Sequence, residues 1–152
     1  MTPIVLLIKG NTNMFRCPMD IDDTARKAAG LNAYDYSYTA NGYQATPDGP
    51  EMFSTWTGST GSGWIPAKLA SVRNPANKLM LVEEPVSTRD LPPGYTTLAD
   101  DGRWVPGSGI GGTANSITIR HGGRGNASFA DGHAQPVDYK FGADTNNFDS
   151  RL

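Results

Sequence analysis

The stretch SITIRHGGRGNASFADGHAQPVDY, residues 116–139, constrains the fold more than any other part of the chain. Ile117 and Ile119 share one face of an extended segment and Ala127 and Phe129 share one face of the next, because side chains alternate along a strand. Between them HGGRGN is rich enough in glycine to turn, and Asp131-Gly132 supplies the two residues of a type I′ turn leading into HAQPVDY. The pattern predicts a three-stranded antiparallel meander.

The same letters pose a chemical question, since two histidines and an aspartate invite a catalytic or metal-site reading. With Gly122 to Asn126 as a five-residue loop, His121 faces Ala127, Ile119 faces Phe129, and Ile117 lies near Asp131. Four strand residues at about 3.3 Å each then separate His121 from Asp131 by about 13 Å, against the roughly 3 Å that a catalytic His-Asp pair needs. His133 is nearer to Asp131, but the two flank a tight turn, and two groups do not close a metal site. The reading is therefore structural. His121 closes a strand edge by bonding loop backbone, Gly122 and Gly123 permit the bend, and Asp131-Gly132 fixes the register.

A length of 152 residues suits one domain, 1–152, with one core. Its 18 Gly and 11 Pro, about a fifth of the chain, favour short strands joined by long turns. A net charge of −2, from 13 basic and 15 acidic residues without a basic run, leaves no footprint for nucleic acid or an anionic membrane. The longest apolar run, Pro3 to Ile8, falls far short of the roughly 20 residues that span a bilayer and lacks the flanks of a signal peptide. Cys17 is the one cysteine, so neither an intrachain disulfide nor a multi-cysteine metal cage is available. A lone thiol reads as a small buried hydrophobe, with pairing to a cysteine outside this chain as the sharper alternative.

Along the chain, Thr2-Pro3 and Gly10 bracket a short helix over IVLLIK, with a strand as the competing reading. Asp22 or Asp23 caps a second helix through Ala25 to Ala28, ended by Gly30. Tyr34, Tyr36 and Tyr38 alternate onto one face, and Asn41-Gly42 predicts a hairpin turning at residue 41. Thr46 to Lys68 reads as a long surface loop pinned by Trp56 and Trp64, or as an aromatic platform for a ligand. NPANKLMLVEEP places a buried central strand over Leu79 to Val82, after an Asn-Pro turn and before a proline. The segment that follows is irregular, with Trp104 as an anchor. GSGIGG at Gly107 to Gly112 lacks the Lys and the helical pattern of a phosphate loop, and no nucleophile elbow or catalytic glutamate pair is recognisable.

Four blocks in order, MFRCPMD (Met14 to Asp20), YSYTANGY (Tyr36 to Tyr43), VRNPANKLMLVEE (Val72 to Glu84) and His121 followed after nine residues by Asp131-Gly132, resemble the prepilin-type processing-associated H-X9-DG domain family. The resemblance spans most of the chain. It implies a pilin-like globular domain of α+β class, mainly antiparallel β, with a C-terminal three- to four-stranded meander, long irregular loops and one or two short helices. The implied role is non-enzymatic: a structural subunit of a type IV pilus or of a type II secretion pseudopilin-like extracellular filament, in the periplasm or at the cell surface. Its partners are then other pilin-like subunits, in a homo-polymer built through an N-terminal helix that follows a processed leader. That helix is expected to be absent from residues 1–152, which correspond to the globular part. Family members often carry a second cysteine after the helix, and the resemblance implies that Cys17 pairs with it in an oxidising compartment.

Some pseudopilins bind calcium in a C-terminal loop, so the tail GADTNNFDS merits attention. Asp144, Asn146 and Asp149 offer hard oxygen ligands, but without the Gly and terminal Glu of a calcium loop, and DIDD at Asp20 to Asp23 is equally loose. Solvated acidic turns are the simpler reading, and no other cofactor is expected. Two rival functions remain open. One is an extracellular glycan-binding module stacking sugars on Trp56, Trp64, Trp104 and the tyrosines. The other is a small hydrolase around His121, His133 and Asp131, which requires those groups to converge.

Overall fold

A computed structural model of the chain describes residues 12–21, 24, 36–43, 68–99, 102–107 and 114–152. Among them are five strands: β1 (Tyr38–Asn41), β2 (Leu79–Glu83), β3 (Arg103–Trp104), β4 (Arg124–Phe129) and β5 (Ala134–Asp138). One short helix, α1 (Tyr139–Ala143), follows β5, and 3-10 turns cover Thr12–Phe15, Leu69–Ser71 and Thr145–Asn147. The strands form a single sheet in the order β3-β1-β2-β4-β5. The class is thus α+β-like, one sheet with a few short helices.

The sheet is mixed, which corrects the expectation of a mainly antiparallel fold. β2 runs antiparallel to β1 and β4, and β4 to β5, whereas β3 lies parallel to β1. Parallel neighbours require a long crossover, and the many residues between β1 and β3 provide one. β2 holds the centre, where its apolar run was expected. Leu79 and Val82 are fully buried and pack with Trp104, Ile117, Ala127, Phe129, Val137 and Phe148. β4 follows the two-residue alternation, with Gly125, Ala127 and Phe129 inward. β5 is an edge strand, the place where Pro136 is tolerated because no further neighbour needs its missing N–H.

The predicted meander is corrected in its first strand. Residues 115–119 belong to no strand, and their amides find three different acceptors. Asn115 N donates to Val105 O, Thr118 N to Glu83 O and Ile119 N to Asp90 O. The edge of β4 that they were expected to occupy is taken by β2. The five-residue loop is corrected too. β4 begins at Arg124, and His121 N donates to Arg124 O across Gly122-Gly123, whose φ angles of 64° and 91° are those of a primed turn.

The Asp131-Gly132 turn stands where expected but differs in kind. Phe129 N donates to His133 O and Gly132 N to Phe129 O, making a three-residue loop in which Gly132 alone has positive φ, at 94°. That is a turn closed by a glycine bulge rather than a type I′ pair. Asp131 instead uses its carboxylate to accept from His133 N at 3.1 Å.

No hairpin turns at Asn41-Gly42, a further correction. Asn41 is the last residue of β1, its side chain fully buried, with Nδ2 donating to Leu79 O at 2.8 Å and Phe148 O at 3.1 Å. Gly42 N continues the pairing to Trp104 O, and a Cβ at Gly42 would collide with the Arg103 side chain. The Asn-Gly pair therefore serves tertiary cross-linking and close approach rather than chain reversal. The expectations for Thr2 to Gly10, for the helix through Ala25 to Gly30, and for Tyr34, Trp56 and Trp64 lie outside the described residues.

Candidate functional site

The structure gathers chemistry at one end of the central strand. β2 ends in Glu83, which is fully buried and whose carbonyl accepts from Thr118 N in the segment leading to His121. The Glu83 carboxylate accepts from Arg120 Nη1, from Asn126 N at 3.1 Å and from Asn126 Nδ2 at 3.2 Å. His121 Nε2 lies 2.9 Å from Glu83 Oε2 and 3.1 Å from Oε1. The third member arrives from the far end of the chain: Cys17 Sγ sits 3.4 Å from the same His121 Nε2.

Local structure holds Cys17 in place. Its amide donates to Ser37 Oγ at 3.0 Å, Ser37 Oγ donates to the buried carboxylate of Asp20 at 2.7 Å, and Ser37 N reaches Phe15 O. Pro18 starts a turn in which Met19 N points at Cys17 Sγ, 3.4 Å away. Cys17 is a free thiol, only 2% exposed. Burial, and then the Glu83 carboxylate beside it, push its pKa up, so the thiol is protonated at neutral pH.

Arg120 braces the site from the other side. It donates through Nε and Nη2 to Asp90 Oδ2, at 3.1 and 2.7 Å, and through Nη2 to Glu84 O. Burial works against its charge, but Asp90 and Glu83 outweigh that and hold its pKa up. Burial, and then Glu83, likewise raise the Tyr38 phenol.

The other residues singled out from sequence lie elsewhere. Asp131 and His133 bond to each other at 2.6 Å at the exposed tip of the β4–β5 hairpin, where the His133 ring stacks on Phe129 at 4.2 Å. The His133 contact holds the Asp131 carboxyl below its ordinary range. His121 and Asp131 thus flank opposite ends of β4 and share no partner among the described residues, and the groups of the hydrolase reading do not converge. Asp144 accepts from its own turn, through Asn146 N and Nδ2, while Asp149 is bound by Arg151. The Lys78 ammonium donates to Asn146 O, so a positive charge already occupies the tail proposed for calcium. Trp104 is fully buried, edge-on to Phe148, which withdraws it as a sugar-stacking surface.

Glu83, Arg120 and Asp90 are the site residues that sequence reasoning missed. One signal pointed to Glu83: an otherwise apolar central strand ends on a carboxylate, with Glu84 following it, where an acidic residue must be paired if it is buried. Among the described residues, Cys17, Glu83 and His121 form the group of three or more metal-ligating side chains whose donor atoms lie within 4.8 Å of one another. No protein-family model, curated protein or solved structure matches the chain.

Proposed function

We propose that this chain is the globular domain of a non-enzymatic, structural subunit of a pilin-like or pseudopilin-like extracellular filament or secretion apparatus. One observation supports the reading above the others. The four blocks behind the resemblance meet in a single buried network, in which Phe15, Cys17 and Asp20 bond Ser37, Cys17 meets His121, and His121 meets Glu83. The conspicuous residues of the sequence act together as a clasp joining the N-terminal segment to the sheet. A subunit that bears load along a filament needs such a junction between its polymerising element and its outer domain.

The geometry of the trio weighs against a hydrolase. A relay from cysteine through histidine to a carboxylate needs the two partners on opposite ring nitrogens. Here Cys17 and Glu83 both face Nε2. In this reading the subunit works outside the cytoplasm, and its partners are further copies joined through an N-terminal helix. The test is location and assembly of the protein expressed from its own gene. It is expected in filaments sheared from the source cells and along them in immunogold electron microscopy. Recovery from the cytosolic fraction alone overturns the proposal.

A further inference from the structure

We infer that Cys17, Glu83 and His121 form a three-ligand site for a divalent transition metal of zinc-like chemistry, completed by water. This rests on donor geometry and not on the filament reading, and it competes with the disulfide that the family resemblance implies for Cys17.

The three donor atoms converge instead of forming a chain. Nε2 of His121 is 3.4 Å from Cys17 Sγ and 2.9 Å from Glu83 Oε2. Around a tetrahedral zinc, with bonds of about 2.3 Å to sulfur and about 2.0–2.1 Å to nitrogen or oxygen, neighbouring donors stand roughly 3.3–3.6 Å apart. The two pairs that meet at Nε2 are within about half an ångström of that spacing, and all three donor atoms lie within 4.8 Å of one another, so an ion fits once side chains shift and the imidazole turns its Nε2 lone pair to the metal with its ring proton on Nδ1. Thiolate, imidazole and carboxylate together select a borderline-soft ion, whereas calcium and magnesium take oxygen-rich sites.

The surroundings are those of ligands held from behind. Asn126 and Arg120 fix the Glu83 carboxylate, and Met19 N–H points at the Cys17 sulfur, where it favours a thiolate. Arg120 brings a positive charge close by, but Asp90 pairs with it. Glu83, Asp90 and Arg120 together leave one negative charge, and a Cys17 thiolate makes two, which a divalent ion neutralises. The His121 side chain is 23% exposed, so one flank of the site opens to solvent for entry and for a fourth ligand. Binding converts Cys17 S–H to a sulfur–metal bond and releases that proton to solvent.

Cobalt(II) titrated into the reduced 152-residue chain tests this directly. The expected result is one ion per chain, one proton released, and a thiolate-to-cobalt charge-transfer band in the near ultraviolet that zinc abolishes. His121→Gln and Cys17→Ser should each lose the band, and Asn126→Ala should weaken binding about 10- to 100-fold. His133→Gln, at the distant hairpin tip, should leave it unchanged. If Cys17→Ser fails to fold, the wild-type band and the partly exposed His121 position still decide. Cobalt that does not bind, binds without a thiolate band, or binds His121→Gln as well as wild type overturns the inference. So does Cys17 recovered in a disulfide from the protein's own cells.

Discussion

Arg120 and Glu83 form an ion pair in which both side chains are all but sealed from solvent, at 4% and 0% exposure. Such a pair repays its desolvation only when every remaining donor and acceptor is satisfied. Here Asp90, Glu84 O, Asn126 and His121 supply those partners.

Removing one member strands the other, so Arg120→Met should cost about 3–5 kcal/mol of unfolding free energy. Glu83→Gln should cost less, because Asp90 still pairs with the guanidinium. The double variant Glu83→Gln/Arg120→Met should lose clearly less than the sum of the two single losses. Urea denaturation of the four proteins measures this, and strict additivity would show that the pair contributes no coupling.

Asn41 is a second buried cross-link, joining β1 to Leu79 O on the central strand and to Phe148 O in the C-terminal segment. Asn41→Ala leaves two buried carbonyls without their donor and should destabilise by about 1–3 kcal/mol. Asn41→Asp should be worse at neutral pH, since a carboxylate then faces two carbonyl oxygens. A shift in urea midpoint smaller for Asp than for Ala would contradict that geometry.

These two sites show which parts of the fold local sequence could carry. β2 was legible because an Asn-Pro turn and an unbroken apolar run describe a central strand without reference to anything distant. Asn41-Gly42 was misread because its letters favour a hairpin locally, while the decisive interactions lie 38 and 107 residues away. The Asp131-Gly132 turn was placed correctly and typed wrongly, since Asp131 spends its carboxylate on His133 N and leaves the positive φ to Gly132. The Cys17, Glu83 and His121 meeting was hidden for the same reason as Asn41. Its contacts span 38 and 104 residues, and no periodicity reports on them.

The hairpin tip gives a pH-dependent readout away from the core. The Asp131 carboxyl is held below its ordinary value of 3.8, first by the hydrogen bond to the His133 side chain. A carboxyl depressed in the folded state contributes stability that is present above its ordinary pKa and is lost as pH falls through the folded value. NMR titration should therefore place the Asp131 midpoint below 3.8 in the wild type, and His133→Phe should return it toward that value. An identical midpoint in the two proteins would show that the pair does not persist in solution.

Two glycines should respond to substitution in opposite ways, because one is required for space and the other for conformation. A Cβ at Gly142, in α1, would come 2.7 Å from Ile117 Cδ1 and 3.2 Å from Trp104 Cζ2, both fully buried side chains. Overpacking of that kind costs about 1–3 kcal/mol, partly offset by the roughly 1 kcal/mol that Ala gains over Gly in a helix. Gly132 has open space around its missing Cβ but a φ of 94°, so Gly132→Ala should cost about 1–3 kcal/mol through backbone strain alone. Asparagine separates the causes, since it tolerates the left-handed region but is larger than alanine. Gly132→Asn should recover part of what Gly132→Ala loses, whereas Gly142→Asn should be worse than Gly142→Ala. Thermal or urea unfolding of the four variants decides the matter, and equal ranking at both positions would mean that α1 does not press its glycine against Ile117 and Trp104.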